Sequence, residues 1–204
     1  MNFLIVAAMH DEIDEFNKHA TLIETEPFKL YQYNNHYIVI SGIGKTNASA
    51  ATSYALTKYP IIDHILNIGF AGGTRPYHVG DVVAVNEACY HDVDLTMFGY
   101  EKGQIPKSPA VFQSDLSIVS NLTNYAKLYT GDYFMLNLPS EVAVFDMEGA
   151  AIFQVADKFN KKSTSIKVIS DIIGNHNQLD NYTTFESTNG ARIIKDILMK
   201  ILEV

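Results

Sequence analysis

The chain has 204 residues, with 15 lysines and arginines against 23 aspartates and glutamates, a formal net charge of −8. That balance disfavours nucleic acid as a partner, which needs a basic face, and with only two arginines, Arg75 and Arg192, a multi-arginine clamp for phosphate is disfavoured too. Hydrophobic residues at 47 % and charged residues at 19 % give a globular composition, and this length predicts a single domain over residues 1–204.

The N-terminal run 3–8 reads as a strand: it lacks the basic segment of a signal peptide, and no run in the chain reaches the ~20 apolar residues of a membrane span. A helix is expected to follow, opening with His10-Asp11-Glu12, where acidic residues suit the helix dipole. Residues 30–41 place Asn34-Asn35 between two β-rich arms and predict an edge hairpin. The turn Ser41-Gly42-Ile43-Gly44-Lys45 leads into a helix over 46–59, whose Ala48, Ala50, Ala51 and Ala55 would let it lie close on a sheet.

Further strands are expected at 37–41, 64–69, 81–88, 142–145 and 166–170. Apolar spacing predicts helices through Leu116, Val119, Leu122 and Tyr125, through Ala151, Ile152, Val155, Ala156 and Phe159, and through Ile193, Ile194, Ile197, Leu198, Ile201 and Leu202. This alternation predicts an α/β fold, a three-layer α/β/α sandwich around a mixed, largely parallel twisted sheet. The lone Cys89 permits neither an intrachain disulfide nor a multi-cysteine metal site, and a cytoplasmic address is expected.

Ligands of such sheets bind beyond the carboxyl ends of the strands. That rule selects Glu12, the turn at 41–45, Phe70-Ala71-Gly72-Gly73, Glu148, and Ser170-Asp171, so three carboxylates converge on one rim. Glu12 alone could be a solvated first-turn acid. Glu148 has small and apolar neighbours, Met147, Ala150 and Ala151, and points more plausibly into a pocket. Asp171 sits in the apolar stretch Val168-Ile169-Ser170-Asp171-Ile172-Ile173; such a setting raises a carboxyl pKa, as a general acid requires, although helix capping is the bland alternative. Neither the dinucleotide fingerprint nor the phosphate loop occurs. A metal site from His91, Asp92 and Asp94 lacks a second histidine at ligand spacing, so a turn or pocket wall is the better reading.

Taken in order, Ala8-Met9-His10-Asp11-Glu12, Ser41-Gly42-Ile43-Gly44-Lys45, Asn67-Ile68-Gly69-Phe70-Ala71-Gly72-Gly73, Val79-Gly80-Asp81, Tyr90-His91-Asp92-Val93-Asp94, Phe98-Gly99-Tyr100-Glu101, Gly131-Asp132, Met147-Glu148 and Ile169-Ser170-Asp171 resemble the bacterial 5′-methylthioadenosine/S-adenosylhomocysteine nucleosidase family of the nucleoside phosphorylase superfamily. The resemblance covers nearly the whole chain. It implies that Glu12 activates the attacking water, Glu148 binds the ribose hydroxyls and Asp171 protonates the adenine. It further implies that Phe134 and the main chain of Met135 hold the base, that Met9, Ile43 and Met147 line the ribose and 5′-thio region, and that Tyr182 replaces a family aromatic on the 5′ side. Ser170 and Phe70 join the substrate-binding set. Family members of this kind are usually homodimers, and the loop 98–106, with Phe98 and Tyr100, would reach the partner's active site. No metal or organic cofactor is required.

The chain departs from the family at Phe70, where a small hydroxyl residue is usual, in a shortened 135–146 segment with Leu136-Asn137-Leu138-Pro139-Ser140-Glu141, and at Lys167 where arginine is common. Hydrolysis is favoured over phosphorolysis, because phosphate needs small donors and usually arginine. A purine nucleoside phosphorylase and a silent nucleoside-binding homologue stand as the alternatives. The 5′ substituent is open among methylthioadenosine, adenosylhomocysteine, 5′-deoxyadenosine and unmodified nucleosides.

Overall fold

The computed structural model describes residues 1–202. In chain order the elements are β1 (Phe3–Ala7), α1 (His10–Asn17), β2 (Thr21–Glu24), β3 (Lys29–Tyr33), β4 (His36–Ile40), α2 (Lys45–Lys58), β5 (His64–Gly73), β6 (Val82–Tyr90), β7 (Phe112–Gln113), β8 (Tyr125–Thr130), β9 (Val144–Asp146), α3 (Gly149–Lys158), β10 (Lys162–Ile172), α4 (Gln178–Thr188) and α5 (Gly190–Leu202). The fold is α/β, with a mixed sheet and helices on both sides, as the alternation predicts.

The strands form one sheet in the order β10-β6-β8-β9-β5-β1-β4-β3-β2, with β7 paired to β6. Because β10 also pairs with β5, strands β5, β10, β6, β8 and β9 close a ring, and β1, β4, β3 and β2 extend from it as an open wing. The β3–β4 hairpin turns at Asn34 and Asn35, with Asn34 in the left-handed region at φ 53°. It is not the sheet edge: β2, which the sequence reading passed over, pairs outside β3 and takes that place.

Side-chain alternation on β1 explains the layers. Phe3, Ile5 and Ala7 face a core shared with Ile13 and Phe16 of α1 and with Ile194, Leu198 and Leu202 of α5. Leu4 and Val6 face the opposite core, against Ala48, Ala51 and Ala55 of α2 and Ile152 and Ala156 of α3. The alanines let α2 approach closely, and each fully buried leucine or isoleucine contributes on the order of 1.5–3 kcal/mol of transfer free energy.

One expected helix is absent. Residues 116–125 hold only a single 3-10 turn, Leu116–Ile118, and Tyr125 begins β8. The apolar spacing is real, since Leu116, Val119 and Leu122 all pack on the α5-side core, but Ser120, Asn121, Thr123 and Asn124 are weak helix formers and Asp115 caps only one turn, its carboxylate accepting from Ser117. Among the described residues no helix is long and apolar enough to cross a membrane.

Candidate active site

The ends of β1, β5, β9 and β10 open into a cleft that holds Glu12, Glu148 and Asp171 together. Met9, Ile43, Phe70, Phe134, Met135, Met147, Ser170 and Tyr182 also line it, so the expected site residues meet in one place with a single exception. Phe98 does not line this cleft; it lies 68 % exposed in a 3-10 turn on the loop after β6.

Glu12 stands in the first turn of α1, yet it is no solvated acid: only 3 % of it is exposed. Its Oε2 accepts from the main-chain N–H of Ala8 (2.8 Å) and Met9 (2.9 Å), and its Oε1 from the N–H of Phe70 (2.9 Å). Burial pushes its pKa up, while Lys167 and these donors favour the anion. The donor at position 70 is main chain, so the phenylalanine side chain, expected to be a departure from a small hydroxyl residue, does not remove this bond. Gly69 is required beside it, because a Cβ there would collide with Glu12 Oε1.

Glu148 lies at the junction of β9 and α3. Its Oε1 accepts from Gly44 N–H at 2.8 Å, and Gly44, at φ 98°, sits in a backbone conformation that favours glycine. Burial, with the charge of Asp146, pushes Glu148 up to about 8, against the lowering pull of Lys167 and Gly44.

Asp171 owes its aim to a β-bulge. The register of β10 against β5 slips between Ile169 and Asp171, and Ser170 is the extra residue. Ser170 Oγ donates to Asp171 Oδ1 at 2.6 Å, and Gln178 Nε2 donates to Asp171 Oδ2 at 2.8 Å. Burial raises the pKa of Asp171, and those two hydrogen bonds oppose the rise. Both Asp171 and Glu12 thus carry a pKa raised by burial, and at Glu12 Lys167 and three main-chain donors oppose that rise.

Two contributors escaped the sequence reading. Lys167 was read only as a mild replacement; it is 1 % exposed under the cleft, its Nζ 2.8 Å from Asp146 Oδ2. Burial pulls its pKa down, but Asp146, Glu148 and Glu12 outweigh that and hold it above the ordinary lysine range. Asp146 also accepts from Thr130 Oγ1 and Gly149 N–H, tying β8, β9 and α3 together. Gln178, at the start of α4, carries no periodic or motif signal that would have singled it out.

Asp92, weighed as a metal ligand, accepts from Lys45 Nζ (2.5 Å) and from Asp132 N–H (2.9 Å), and Asp94 accepts from Thr96. The Asp92 bonds fasten the loop after β6 to the start of α2 and to the loop after β8, while the Asp94 bond lies within the loop after β6.

The chain and its fold have close counterparts among known proteins. Residues 2–203 match the family model described as the phosphorylase superfamily. A 5′-methylthioadenosine/S-adenosylhomocysteine nucleosidase of Hydrogenovibrio crunogenus is 31 % identical, with 97 % of this chain and 98 % of that protein covered. The nucleosidase of Bacillus subtilis is 30 % identical, over 98 % and 100 %. Among solved structures, that of the S. pneumoniae nucleosidase with the transition-state inhibitor MT-ImmA superposes with a TM-score of 0.89 at 28 % identity, covering 100 % of this chain and 99 % of that one. The chain belongs to the phosphorylase superfamily. Within it, the chain is a member of the 5′-methylthioadenosine/S-adenosylhomocysteine nucleosidase family.

Proposed function

We propose that the protein is a purine-nucleoside N-glycosyl hydrolase that cleaves 5′-methylthioadenosine, S-adenosylhomocysteine or both to adenine and the 5′-substituted ribose. The observation that carries this reading is the meeting of the buried carboxyl groups of Glu12, Glu148 and Asp171 in one cleft whose described lining residues include no arginine or lysine. The names of the relatives supply the substrate class.

Breaking a purine N-glycosidic bond leaves negative charge on the base and oxocarbenium character on the sugar. Asp171, with its raised pKa, donates its proton to the purine N7. Glu148 binds the ribose hydroxyls and, in its ionised form, brings negative charge near the developing cation. Glu12 accepts a proton from the water that attacks the anomeric carbon. Phe134 and Tyr182, edge to face with centroids 5.7 Å apart, supply an aromatic wall, with Tyr182 on the 5′ side beside Met9. The main chain of Met135 takes the base edge, and Ile43 and Met147 flank the ribose. Phosphate as nucleophile would require cationic donors that the cleft lining does not offer.

A homodimer belongs to the same proposal. Exposed Met97 and Phe98, at 83 % and 68 %, are suited to completing a partner's cleft. Cytoplasmic residence is part of it too, supported by the lone buried thiol of Cys89, which needs no oxidising compartment.

The test is incubation with methylthioadenosine in phosphate-free buffer. Adenine and free methylthioribose in equal amounts are expected, with a rate that added phosphate does not change. A sugar phosphate formed only with phosphate would instead make the protein a phosphorylase, and binding without turnover a silent homologue.

A further inference from the structure

Gln178 is the first residue of α4 and is 4 % exposed, and both amide hydrogens and the carbonyl oxygen of its carboxamide have partners. Its Oε1 accepts from Gly174 N–H at 3.1 Å. Its Nε2 donates one hydrogen to Met135 O and the other to Asp171 Oδ2, both at 2.8 Å. Turning the amide over would set its oxygen against two acceptors and its nitrogen against a donor, so the network fixes the orientation.

Those two acceptors are the ones that the proposed function assigns to the base. A 6-aminopurine presents N7 and the exocyclic amino group side by side on one edge. A carboxylic acid that gives its proton to N7 from one oxygen accepts an amino hydrogen with the other, and the second amino hydrogen is left for a main-chain carbonyl. The Gln178 NH₂ group makes that pair of bonds within the protein. An amino hydrogen arriving at either acceptor would compete with the Gln178 N–H already bonded there.

We propose that the Gln178 carboxamide is a placeholder for the purine's exocyclic amino group, holding Asp171 Oδ2 and Met135 O at the spacing the base requires and yielding both acceptors when the base enters. This rests on the reading of the cleft as a 6-aminopurine site. The exchange is isosteric in hydrogen bonds: two N–H donors leave and two arrive. Ser170 fits the same exchange, because its hydroxyl lies within 2.6 Å of Asp171 Oδ1 and 3.3 Å of Ala71 O. When Oδ1 carries the proton meant for N7, the hydroxyl can donate to Ala71 O instead. The three side-chain torsions of glutamine let the amide leave without moving α4.

The experiment is calorimetric titration of adenine into the wild-type protein and Gln178→Ala, with thermal unfolding of both as a folding control. If the amide competes with the base, removing it frees both acceptors, and Gln178→Ala binds adenine more tightly, by roughly tenfold. Equal or weaker binding by a folded variant overturns the proposal and makes Gln178 a brace of the cleft wall. The wild-type crystal structure with adenine decides independently of the variant. An adenine amino group on Met135 O and Asp171, with the Gln178 amide moved off both, supports the proposal; an amide still on both overturns it. Failure of the functional reading looks different, since neither protein would then bind adenine, and the proposal would fall with it.

Discussion

Phe70 and Gly190 fit as a matched pair: a Cβ at position 190 would collide with the rim of the Phe70 ring, which packs edge to face on Phe185 with centroids 5.5 Å apart. The bulky Phe70 is accommodated by a missing side chain 120 positions away, at the first residue of α5.

Gly190→Ala is therefore expected to destabilise the protein by about 1–3 kcal/mol, although alanine is otherwise the better helix residue. In a Phe70→Ala background the same change should cost little or nothing. Urea unfolding of the four proteins measures this, and an equal cost in both backgrounds would show that the two positions do not interact.

Gly69→Ala should act on chemistry through Glu12, whose Oε1 occupies the space of the added methyl group. We expect kcat/KM to fall by roughly 10² or more, as for Glu12→Gln, because a displaced base cannot orient water. The double variant should be no worse than Glu12→Gln alone. Losses that multiply in the double variant would mean that Gly69 acts on something other than Glu12.

Lys167 and Asp146 form a buried ion pair with side-chain exposures of 2 % and 1 %. Lys167→Met leaves Asp146 charged and buried without its cation, at a cost of about 3–5 kcal/mol. Adding Asp146→Asn should recover part of that loss. Chemical denaturation at neutral pH reads both, and a Lys167→Met protein as stable as wild type would refute the pair's role.

The pH dependence of kcat/KM follows from Asp171. Ser170 donates to its carboxylate and so favours the ionised form, lowering a pKa that burial has raised. Removing that donor in Ser170→Ala makes ionisation harder, the pKa rises further, and the acid stays protonated to higher pH. The alkaline limb of the profile should shift upward. A downward shift would mean that the limb does not report Asp171.

Much of this was legible in the sequence because strands and small-residue turns leave strong local marks. The apolar runs gave β1, β4, β5, β6 and β10 to within a few residues, and Ala48, Ala51 and Ala55 marked the close-packed face of α2. Glu148 and Asp171 were legible as strand-end acids with apolar or small neighbours, whereas Glu12, in an acidic first turn, was singled out by its strand-end position and the family resemblance. What was not legible depends on distant partners. Burial alternates regularly along β8, but of its buried residues Ala126, Leu128 and Thr130 only Leu128 is large and apolar, and its neighbours β6 and β9 make it a strand. The helix expected at 116–125 obeyed the right period with the wrong residue types. Gln178 and Gly190 acquire meaning only through Asp171, Met135 and Phe70, none of them adjacent in the chain.

The most direct test of the central claim compares wild type with Asp171→Asn, measuring adenine release from methylthioadenosine alongside adenine affinity. Asparagine keeps the shape but cannot supply the proton, so turnover should fall by roughly 10² or more while adenine still binds. Turnover close to wild type in Asp171→Asn would contradict the account, because the purine would then be leaving without the proton assigned to Asp171.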